Sequence, residues 1–258
     1  PRKTTSGSLD EPISLSPDRH RRALLIGNNA YSQPIPALNT PIHDVDQIAV
    51  ITRTNKRANL YNQEIRSRIL FKDESLTTGD YMMVVKNNYF WLPEDSSAGF
   101  IANGDIIEIR KVTKRQSMYD FDFVDSQFTL CDYPEHEPVE ARLLTNTIMS
   151  EAPALTRQEN NDLYEQVKAD YSEIKNKAKL YATIKKDPWY NALQVKFAYA
   201  LTCHKTQGGQ WNVVFIDQGY LTRDMVNIEY LRWLYTAITR ATDKVFLVNF
   251  HPDFFLEK

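Results

Sequence analysis

The turn TCHKTQGGQW, at positions 202–211, gathers hydroxyl, imidazole, ammonium and amide side chains around two adjacent glycines. It follows the apolar run FAYAL, so we predict that it begins where a buried strand ends. Open α/β sheets bind ligands outside the carboxyl ends of their strands. Gly208 and Gly209 allow the backbone to approach a phosphate or another chain, and the polar side chains supply hydrogen-bond donors. Taken alone, the segment is as consistent with a structural loop as with a binding loop.

Apolar runs near both ends of the chain predict the sheet that positions this turn. RRALLIGNNAY (21–31) and DVDQIAVITRTN (44–55) each contain a short strand, the second around Ile48 to Ile51. A helix is predicted in KRANLYNQEIRSRIL because four apolar residues share one face, namely Ala58, Tyr61, Ile65 and Ile69. The later runs LQVKFAYALT, NVVFID and KVFLVNF have the near-continuous apolar character of a parallel sheet, and NIEYLRWLYTAITRA is predicted as helix.

The middle of the chain has a different pattern. Short β-like runs, GDYMMVVKNNYFW, FIANGDIIEIRKV and DFVDSQFTLCDY, are separated by Gly, Asn, Asp and Pro, which predicts a small barrel. TRQE (156–159) has the form of a capping box and opens a single charged helix. Its apolar stripe consists of Leu163, Val167, Tyr171, Ile174, Ala178 and Tyr181. Packing on its own domain is favoured over a coiled coil, because the stripe is too short for sustained heptads.

These patterns divide the chain into three parts. Residues 1–45 form an N-terminal segment of uncertain origin, and its first twenty residues are polar. Residues 46–78 and 192–258 together have the pattern of one α/β domain. Residues 79–191 are predicted as an insertion that contains the barrel and the charged helix.

The composition is that of a globular protein of one or two domains, with 258 residues, 42% hydrophobic and 25% charged. The net charge of −2 means that nucleic acid must be attracted by a local basic surface, since the protein as a whole has no positive field. Two distant cysteines, Cys131 and Cys203, and no recognisable secretory signal favour a reducing, cytoplasmic location. No apolar run approaches the roughly 20 residues of a membrane helix, so no membrane partner is expected.

The turn at 202–211 is the second of three segments that occur in a meaningful order. Motifs IV, V and VI of superfamily 1 helicases resemble, in this order, VITRTNKRANLYN (50–62), TCHKTQGGQW and YTAITRA (235–241). The sequences of the three segments most resemble those of the RecD and Dda-like DNA helicases. KNN (86–88) and NGDIIEI (103–109) resemble the opening of the SH3-like barrel that this branch inserts between motifs IV and V. The resemblance covers about residues 48–258.

The resemblance implies an α/β fold, with a RecA-like parallel sheet and helices as the second motor domain. This domain would carry an inserted small SH3-like β-barrel plus a helix. The implied activity is that of an ATP-dependent DNA helicase or translocase in repair or recombination. The exodeoxyribonuclease V alpha-type subunit is one protein of this kind.

The resemblance also implies roles in the nucleotide site. Arg240 matches the motif VI arginine finger, which stabilises charge on the transferring phosphoryl group and accelerates its transfer by on the order of 10³ to 10⁵. Arg53 matches the motif IV arginine and is expected to reach the same phosphate from a shared edge of the sheet. Gly208, Gly209 and Gln210 are implied as nucleotide contacts, although Gln210 stands where relatives often carry a carboxylate. The alternative for each arginine is a structural surface residue.

Single-stranded DNA is the implied partner of motifs IV and V. The residues matched to its backbone contacts are Thr54, Asn55, Lys56, Thr202, His204, Lys205 and Gln207. Contacts of this type bind phosphate without reading sequence. For His204, a structural hydrogen-bonded histidine is an equal alternative. Four aromatic residues, Tyr89, Phe90, Trp91 and Trp211, are candidates for base stacking, with a place in the core as the alternative.

The sequence lacks the phosphate loop that such a motor requires. None of its eight glycines is followed by lysine, so G-x-x-x-x-G-K-[ST] does not occur. The resemblance therefore implies that ATP and Mg²⁺ are held mainly by an N-terminal RecA-like domain of the same gene product. We expect no ATP hydrolysis by this chain alone. The alternative function is a noncatalytic nucleic-acid or protein-binding module derived from a helicase domain.

Residues 21–50 have a second, shorter resemblance. RRALLIGNNAY and LNTPIHDVDQIA are similar to the first strand and following helix of caspase-like peptidases. That family needs a His-Gly pair and a cysteine in a QAC-type setting, whereas none of the five histidines precedes glycine and Cys131 lies in TLCDYPEH. A protease is therefore not expected. A fused remnant, a coincidence and a product of chain assembly all stay open as origins of this segment.

Overall fold

The structure is a computed structural model that describes residues 22–26, 47–251 and 254–255. Its strands are β1 (Arg22–Ile26), β2 (Ile48–Thr52), β3 (Tyr81–Val84), β4 (Ile106–Met118), β5 (Phe121–Leu130), β6 (Val139–Leu144), β7 (Leu193–Phe197), β8 (Ala200–Thr202), β9 (Trp211–Asp217) and β10 (Ala241–Val248). Its α-helices are α1 (Asn55–Glu64), α2 (Arg157–Ala169), α3 (Lys177–Ile184) and α4 (Ile228–Ile238). Shorter turns are a π-helical one at Ile65–Ile69 and 3₁₀ turns at Cys203–Thr206 and Arg223–Met225.

Five parallel strands form the sheet that the sequence predicts. Their order is β1-β10-β9-β2-β8. The first and last strands of the described chain, β1 and β10, are therefore neighbours in this sheet. Apolar side chains fill the centre of this sheet, with Ile51, Val214 and Ile216 inaccessible to solvent. Such runs suit a parallel sheet that is covered on both faces. The strand predicted in RRALLIGNNAY is β1. Most of the helix implied by the caspase-like resemblance falls outside the described residues, and its last two residues, Ile48 and Ala49, are the start of β2 and not helical.

Helix α1 follows β2 directly because Thr54 provides its N-cap. The Thr54 hydroxyl accepts a hydrogen bond from the backbone N–H of Arg57, which satisfies one of the orphan donors of the first turn. Ala58 and Ile65 are buried on the predicted face. Tyr61 and Ile69 are partly buried and pack against the same core, so the predicted helical stripe is confirmed.

Strands β3 to β7 close a barrel in the order β3-β4-β5-β6-β7. All of its neighbouring strands are antiparallel except β6 and β7, which run parallel. The interior is filled by large side chains that are almost fully buried, among them Ile107, Phe128 and Leu143. The predicted barrel is confirmed, and its SH3-like identity stays a prediction.

The structure corrects the prediction for LQVKFAYALT, which we expected as one strand of the parallel sheet. Leu193–Phe197 is instead the last strand of the barrel and pairs with β3 and β6, while only Ala200–Thr202 joins the sheet. Both strands are buried, so a continuous apolar run gives no sign that the chain passes from one sheet to another. The change occurs at Ala198 and Tyr199.

The single charged helix predicted from TRQE is also corrected. The capping box is present, with Thr156 and Glu159 bonded to each other's backbone N–H, but α2 ends at Ala169. A separate helix, α3, begins after Asn176, whose side chain accepts from the N–H of Lys179. None of the helices in the described ranges is long and apolar enough to span a membrane.

A buried ion network joins the sheet domain to the barrel. Asp80, just before β3, is inaccessible to solvent and accepts hydrogen bonds from Arg66 Nε and Nη2 at 3.1 and 2.9 Å. Lys72 Nζ and the Tyr199 hydroxyl donate to the same carboxylate. Burial by itself raises the pKa of Asp80, but the hydrogen bonds from Arg66 and the Thr77 N–H outweigh it and hold the pKa below its ordinary value.

Candidate nucleic-acid interface

The turn at 202–211 begins at the carboxyl end of β8, as predicted. Its first part is a 3₁₀ turn in which Cys203 and Thr206 are buried, and the Thr206 hydroxyl donates to the Cys203 carbonyl at 2.8 Å. His204 and Gln207 point outward and are exposed. The 3₁₀ period of three residues therefore anchors one side of the turn and presents the other side to a ligand.

Glycine is required at positions 208 and 209 for two different local reasons. Gly208 has a φ of +89°, which is costly for any residue with a Cβ. Gly209 has no space for a side chain, since a Cβ there would lie 2.6 Å from Cη2 of the Trp211 ring. The glycine pair is thus required by the turn and by the packing of Trp211, independently of any ligand.

Arg240 lies between α4 and β10, and its guanidinium rests on the glycine turn. Nη1 donates to the Gly209 carbonyl at 3.3 Å, Nε donates to the Thr236 carbonyl at 3.2 Å, and Nη2 donates to the Thr239 hydroxyl at 3.2 Å. In return, the N–H of Trp211 donates to the Arg240 carbonyl at 2.9 Å. Segments matched to motifs V and VI are therefore in direct contact.

The expectation that Arg53 and Arg240 share one edge of the sheet is wrong. Arg53 follows the carboxyl end of β2, whereas Arg240 precedes the amino end of β10, and these strands are parallel. The strand register separates their backbones by about eight residues, or roughly 26 Å along the strand direction. Both side chains nevertheless contact α4, since the Arg53 guanidinium lies 5.6 and 5.8 Å from the ring centroids of Tyr230 and Trp233.

The turn after β2, predicted to contact DNA, is held by local bonds. The Thr54 hydroxyl caps α1, and Asn55 Nδ2 donates to the Glu151 carbonyl at 2.9 Å. The Lys56 ammonium lies 3.6 Å from the Glu151 carboxylate, in an exposed ion pair. Asn55 and Lys56 fasten α1 to the segment between β6 and α2, and of the three residues only Lys56 presents an exposed charge.

Lys205 connects the turn at 202–211 to the barrel. Its Nζ donates to the Asn103 side-chain oxygen at 2.7 Å, across the junction between the sheet domain and the barrel. Burial lowers the pKa of Lys205. Burial and then the charge of Lys205 lower the pKa of nearby Lys196 to about 8, and the Lys196 ammonium donates to the carbonyls of Thr147 and Ser150. Two lysines therefore lie close together at this junction.

The four aromatic candidates for base stacking are not equivalent. Trp211 packs against the core of the sheet domain, and Phe90 and Trp91 are partly buried, with Trp91 Nε1 donating to the Asn191 carbonyl. Tyr89 exposes 71% of its surface. Of these four, Tyr89 has the most accessible ring.

A polar network at the carboxyl edge of the sheet escaped the sequence analysis. Arg57 in α1 forms a bidentate ion pair with the fully buried Asp217, and Asn249 Nδ2 donates to Asp217 Oδ1 at 2.7 Å. Next to it, Gln218 Nε2 donates to the Tyr230 hydroxyl at 2.9 Å. The sequence signal was a carboxylate directly after the buried run VVFI, but its partners are 160 and 32 residues away.

The residues that the structure describes do not by themselves form a site that fits ATP and Mg²⁺. The turn at 202–211 offers donors and exposed Gln210, but it contains no carboxylate for a metal. Within the described ranges, no group of three His, Cys, Asp or Glu side chains could hold a metal ion.

Comparison with protein families identifies the segment that carries this geometry. Residues 197–248 match the UvrD-like helicase C-terminal domain. This part of the chain is helicase-like. The helicase-like segment runs from the end of β7 to the end of β10 and includes the whole turn, α4 and Arg240. No curated protein matches the chain.

Among solved structures, the chain is similar to Pif1 helicases. The Pif1 helicase from Candida albicans is 12% identical with a TM-score of 0.42, over 80% of this chain and 46% of that one. A Bacteroides Pif1 helicase in complex with ADP-AlF3 and single-stranded DNA is 12% identical with a TM-score of 0.36, over 82% and 42%. The chain thus spans less than half the length of these helicases. The RecD and Dda-like branch stays a prediction.

Proposed function

We propose that this chain is the second motor half of an ATP-dependent superfamily 1 DNA helicase of the RecD-like branch. The proposal depends on the bond between Arg240 Nη1 and the Gly209 carbonyl, inside the segment that matches a UvrD-like helicase domain. This bond links the end of α4 to a turn that presents His204 and Gln207 to solvent. A motor requires such a link, because the state of the nucleotide must change the grip on DNA.

In this proposal Arg240 completes a nucleotide site whose phosphate loop belongs to an N-terminal RecA-like domain. Its present bonds are at 3.2–3.3 Å, at a half-buried position, and are therefore individually weak. A guanidinium binds phosphate oxygens through shorter, charge-assisted bonds. Exchange of the Gly209 carbonyl for a phosphate would thus release the turn. The phosphate contact of Arg53 stays a prediction, given its position against Tyr230 and Trp233.

The proposed mechanism is closure of two RecA-like domains on ATP and reopening after hydrolysis. One strand of DNA is held alternately by the two domains, and the turn at 202–211 provides the contacts of this one. Lys205 contributes charge, while Thr202, His204 and Gln207 contribute hydrogen bonds to the backbone. The barrel guides the strand near the fork.

The test is single-strand binding by the 258-residue chain, measured by fluorescence anisotropy with a labelled oligothymidine between 50 and 300 mM salt. We expect affinity to fall with salt, with a log–log slope of about −0.7 for each neutralised phosphate. We also expect no ATP turnover by the chain alone. Single-strand-stimulated turnover by the purified chain would show that the nucleotide assignment is wrong.

The second candidate is a noncatalytic protein-binding module. The exposed apolar residues of α4, Ile228, Leu231 and Tyr235, favour it as a surface for another protein. Absence of single-strand binding, or binding that does not respond to salt, would support this candidate over the motor.

A further inference from the structure

Tyr89 and Phe100 form an exposed aromatic stack on the loop between β3 and β4. Their ring centroids are 4.7 Å apart and their planes differ by 28°. Tyr89 is 71% exposed and Phe100 is 37% exposed, so the pair presents aromatic surface to solvent. Tyr89 is one of the four aromatic residues predicted from the sequence to stack on bases, whereas no sequence pattern indicates that Phe100 lies beside it.

The loop holds this pair in place. Asn88 and Ile101 form an isolated antiparallel bridge, with N–H to carbonyl distances of 2.8 and 3.0 Å in the two directions. Tyr89 follows one side of the bridge and Phe100 precedes the other. The Asn88 side chain also donates to the Asn191 carbonyl and accepts from the N–H of Phe90. The two rings are therefore positioned by backbone pairing.

Three hydrogen bonds connect the stack to the turn at 202–211. Asn87 Nδ2 donates to the Tyr89 hydroxyl at 3.3 Å, and the Asn103 N–H donates to Asn87 Oδ1 at 2.7 Å. Asn103 Oδ1 accepts from Lys205 Nζ at 2.7 Å. An ammonium has three donors, so Lys205 can bind a phosphate oxygen while it keeps this bond. The stack and the turn therefore belong to one surface.

We propose that Tyr89 and Phe100 are a base-stacking platform for single-stranded nucleic acid, with Lys205 at the phosphate of a neighbouring nucleotide. This inference rests on the proposed function, because it assigns a second contact to the same strand. Every base has an aromatic face, so the platform would accept any sequence. Duplex DNA is disfavoured because its bases are already stacked on each other. The amide and ammonium groups along the connecting bonds favour a nucleic acid over a peptide ligand.

The experiment compares the full chain with Tyr89→Ala, Phe100→Ala and the double variant. Binding to an oligothymidine of about 12 nucleotides is measured by anisotropy. Loss of one stacked base is expected to weaken binding about 5- to 150-fold, with an unchanged salt slope, because stacking neutralises no phosphate. Lys205→Gln should instead make the slope shallower by about 0.7. Tyr89→Phe should retain binding, and Tyr181→Ala, at an exposed tyrosine on α3, is the matched control.

A 2-aminopurine base in the oligonucleotide gives an independent readout, because its fluorescence is quenched on stacking. Quenching by the wild-type chain that is lost in the double variant would support the platform. Salt-dependent binding that is equal in wild type and double variant would overturn the platform and leave the proposed function intact. No binding by the wild-type chain would overturn both. A peptide ligand that competes with DNA only when Tyr89 and Phe100 are present would assign the stack to a protein partner instead.

Discussion

The Arg240 guanidinium and the Gly209 carbonyl are in contact at 3.3 Å, although 31 residues separate them in sequence. The contact lies at the amino edge of the sheet, where α4 ends and β9 and β10 begin. It makes the segments matched to motifs V and VI one structural unit. Substitutions in either segment should therefore affect the other.

Arg240→Ala is predicted to abolish turnover in the motor assembled with a phosphate-loop domain. Loss of an arginine finger lowers the rate of phosphoryl transfer by on the order of 10³ to 10⁵. Stability should change by only about 1 kcal/mol, because the lost hydrogen bonds are long and half-buried. Steady-state ATP turnover with saturating single strand is the measurement. Arg232→Ala, on the exposed side of α4, is the control, and normal turnover by Arg240→Ala would refute the finger assignment.

Gly209→Ala is predicted to destabilise the chain by about 1–3 kcal/mol, because the new methyl group overlaps the Trp211 ring. Urea unfolding of the two proteins measures the difference. In a Trp211→Ala background the same substitution should cost much less, since the clashing ring is gone. Equal costs in both backgrounds would mean that the ring is not the obstacle. Gly99→Ala is a control that measures the cost of backbone strain without a steric clash, because Gly99 has a φ of +68° and open space around it.

Asp80→Asn is predicted to cost about 3–5 kcal/mol, because it leaves the buried charge of Arg66 without its partner. Asp80 has a lowered pKa in the folded chain, so its stabilisation is complete above the unfolded pKa of about 3.9. It is lost as pH falls through the lower folded pKa. Urea unfolding of the wild type between pH 5 and pH 2 should therefore converge toward the variant. Glu64→Gln, in an exposed pair with Arg68, should cost only about 0.3–0.5 kcal/mol.

Lys196 is predicted to make the folded chain more stable as pH rises. Its pKa falls from 10.5 to about 8 in the fold, so the unfolded chain binds the proton more tightly between these values. The free energy of unfolding should then increase between pH 8 and 10.5, by up to about 3 kcal/mol. Buried tyrosines also titrate near the top of this range, so the measured quantity is the difference between wild type and Lys196→Met. A flat difference would mean that the Lys196 pKa is ordinary.

The sequence predicted the elements that repeat a local pattern. The stripe of α1 and the capping box at Thr156 and Glu159 depend on residues within a few positions, and both are present. The division into α2 and α3 could also have been predicted, because Asn176 is a helix-capping residue in the middle of the apolar stripe that was assigned to one helix. Beyond it, Ala178 and Tyr181 are exposed, while Ile184 is fully buried.

Relationships between distant segments were not predictable from one sequence. The change from one sheet to the other at Ala198 and Tyr199 leaves no signal in the sequence, because both strands are buried. The Arg57–Asp217 ion pair joins positions that are 160 residues apart. The location of Arg53 was misjudged for a related reason. Motif order gives sequence position, whereas the edge on which a residue lies depends on strand direction. The stacking of Tyr89 on Phe100 likewise depends on the bridge between Asn88 and Ile101.

The two-residue passage from β7 to β8 has a mechanical consequence. Tyr199 bonds to Asp80 through its hydroxyl and to the N–H of Val50 through its carbonyl, so this short link is itself tied to both bodies. A force applied to the barrel will pass directly into β8 and displace the turn that follows it. The barrel and the sheet domain should therefore move together as one rigid unit. A broad distribution of distances between spin labels on the barrel and on the sheet domain would contradict this.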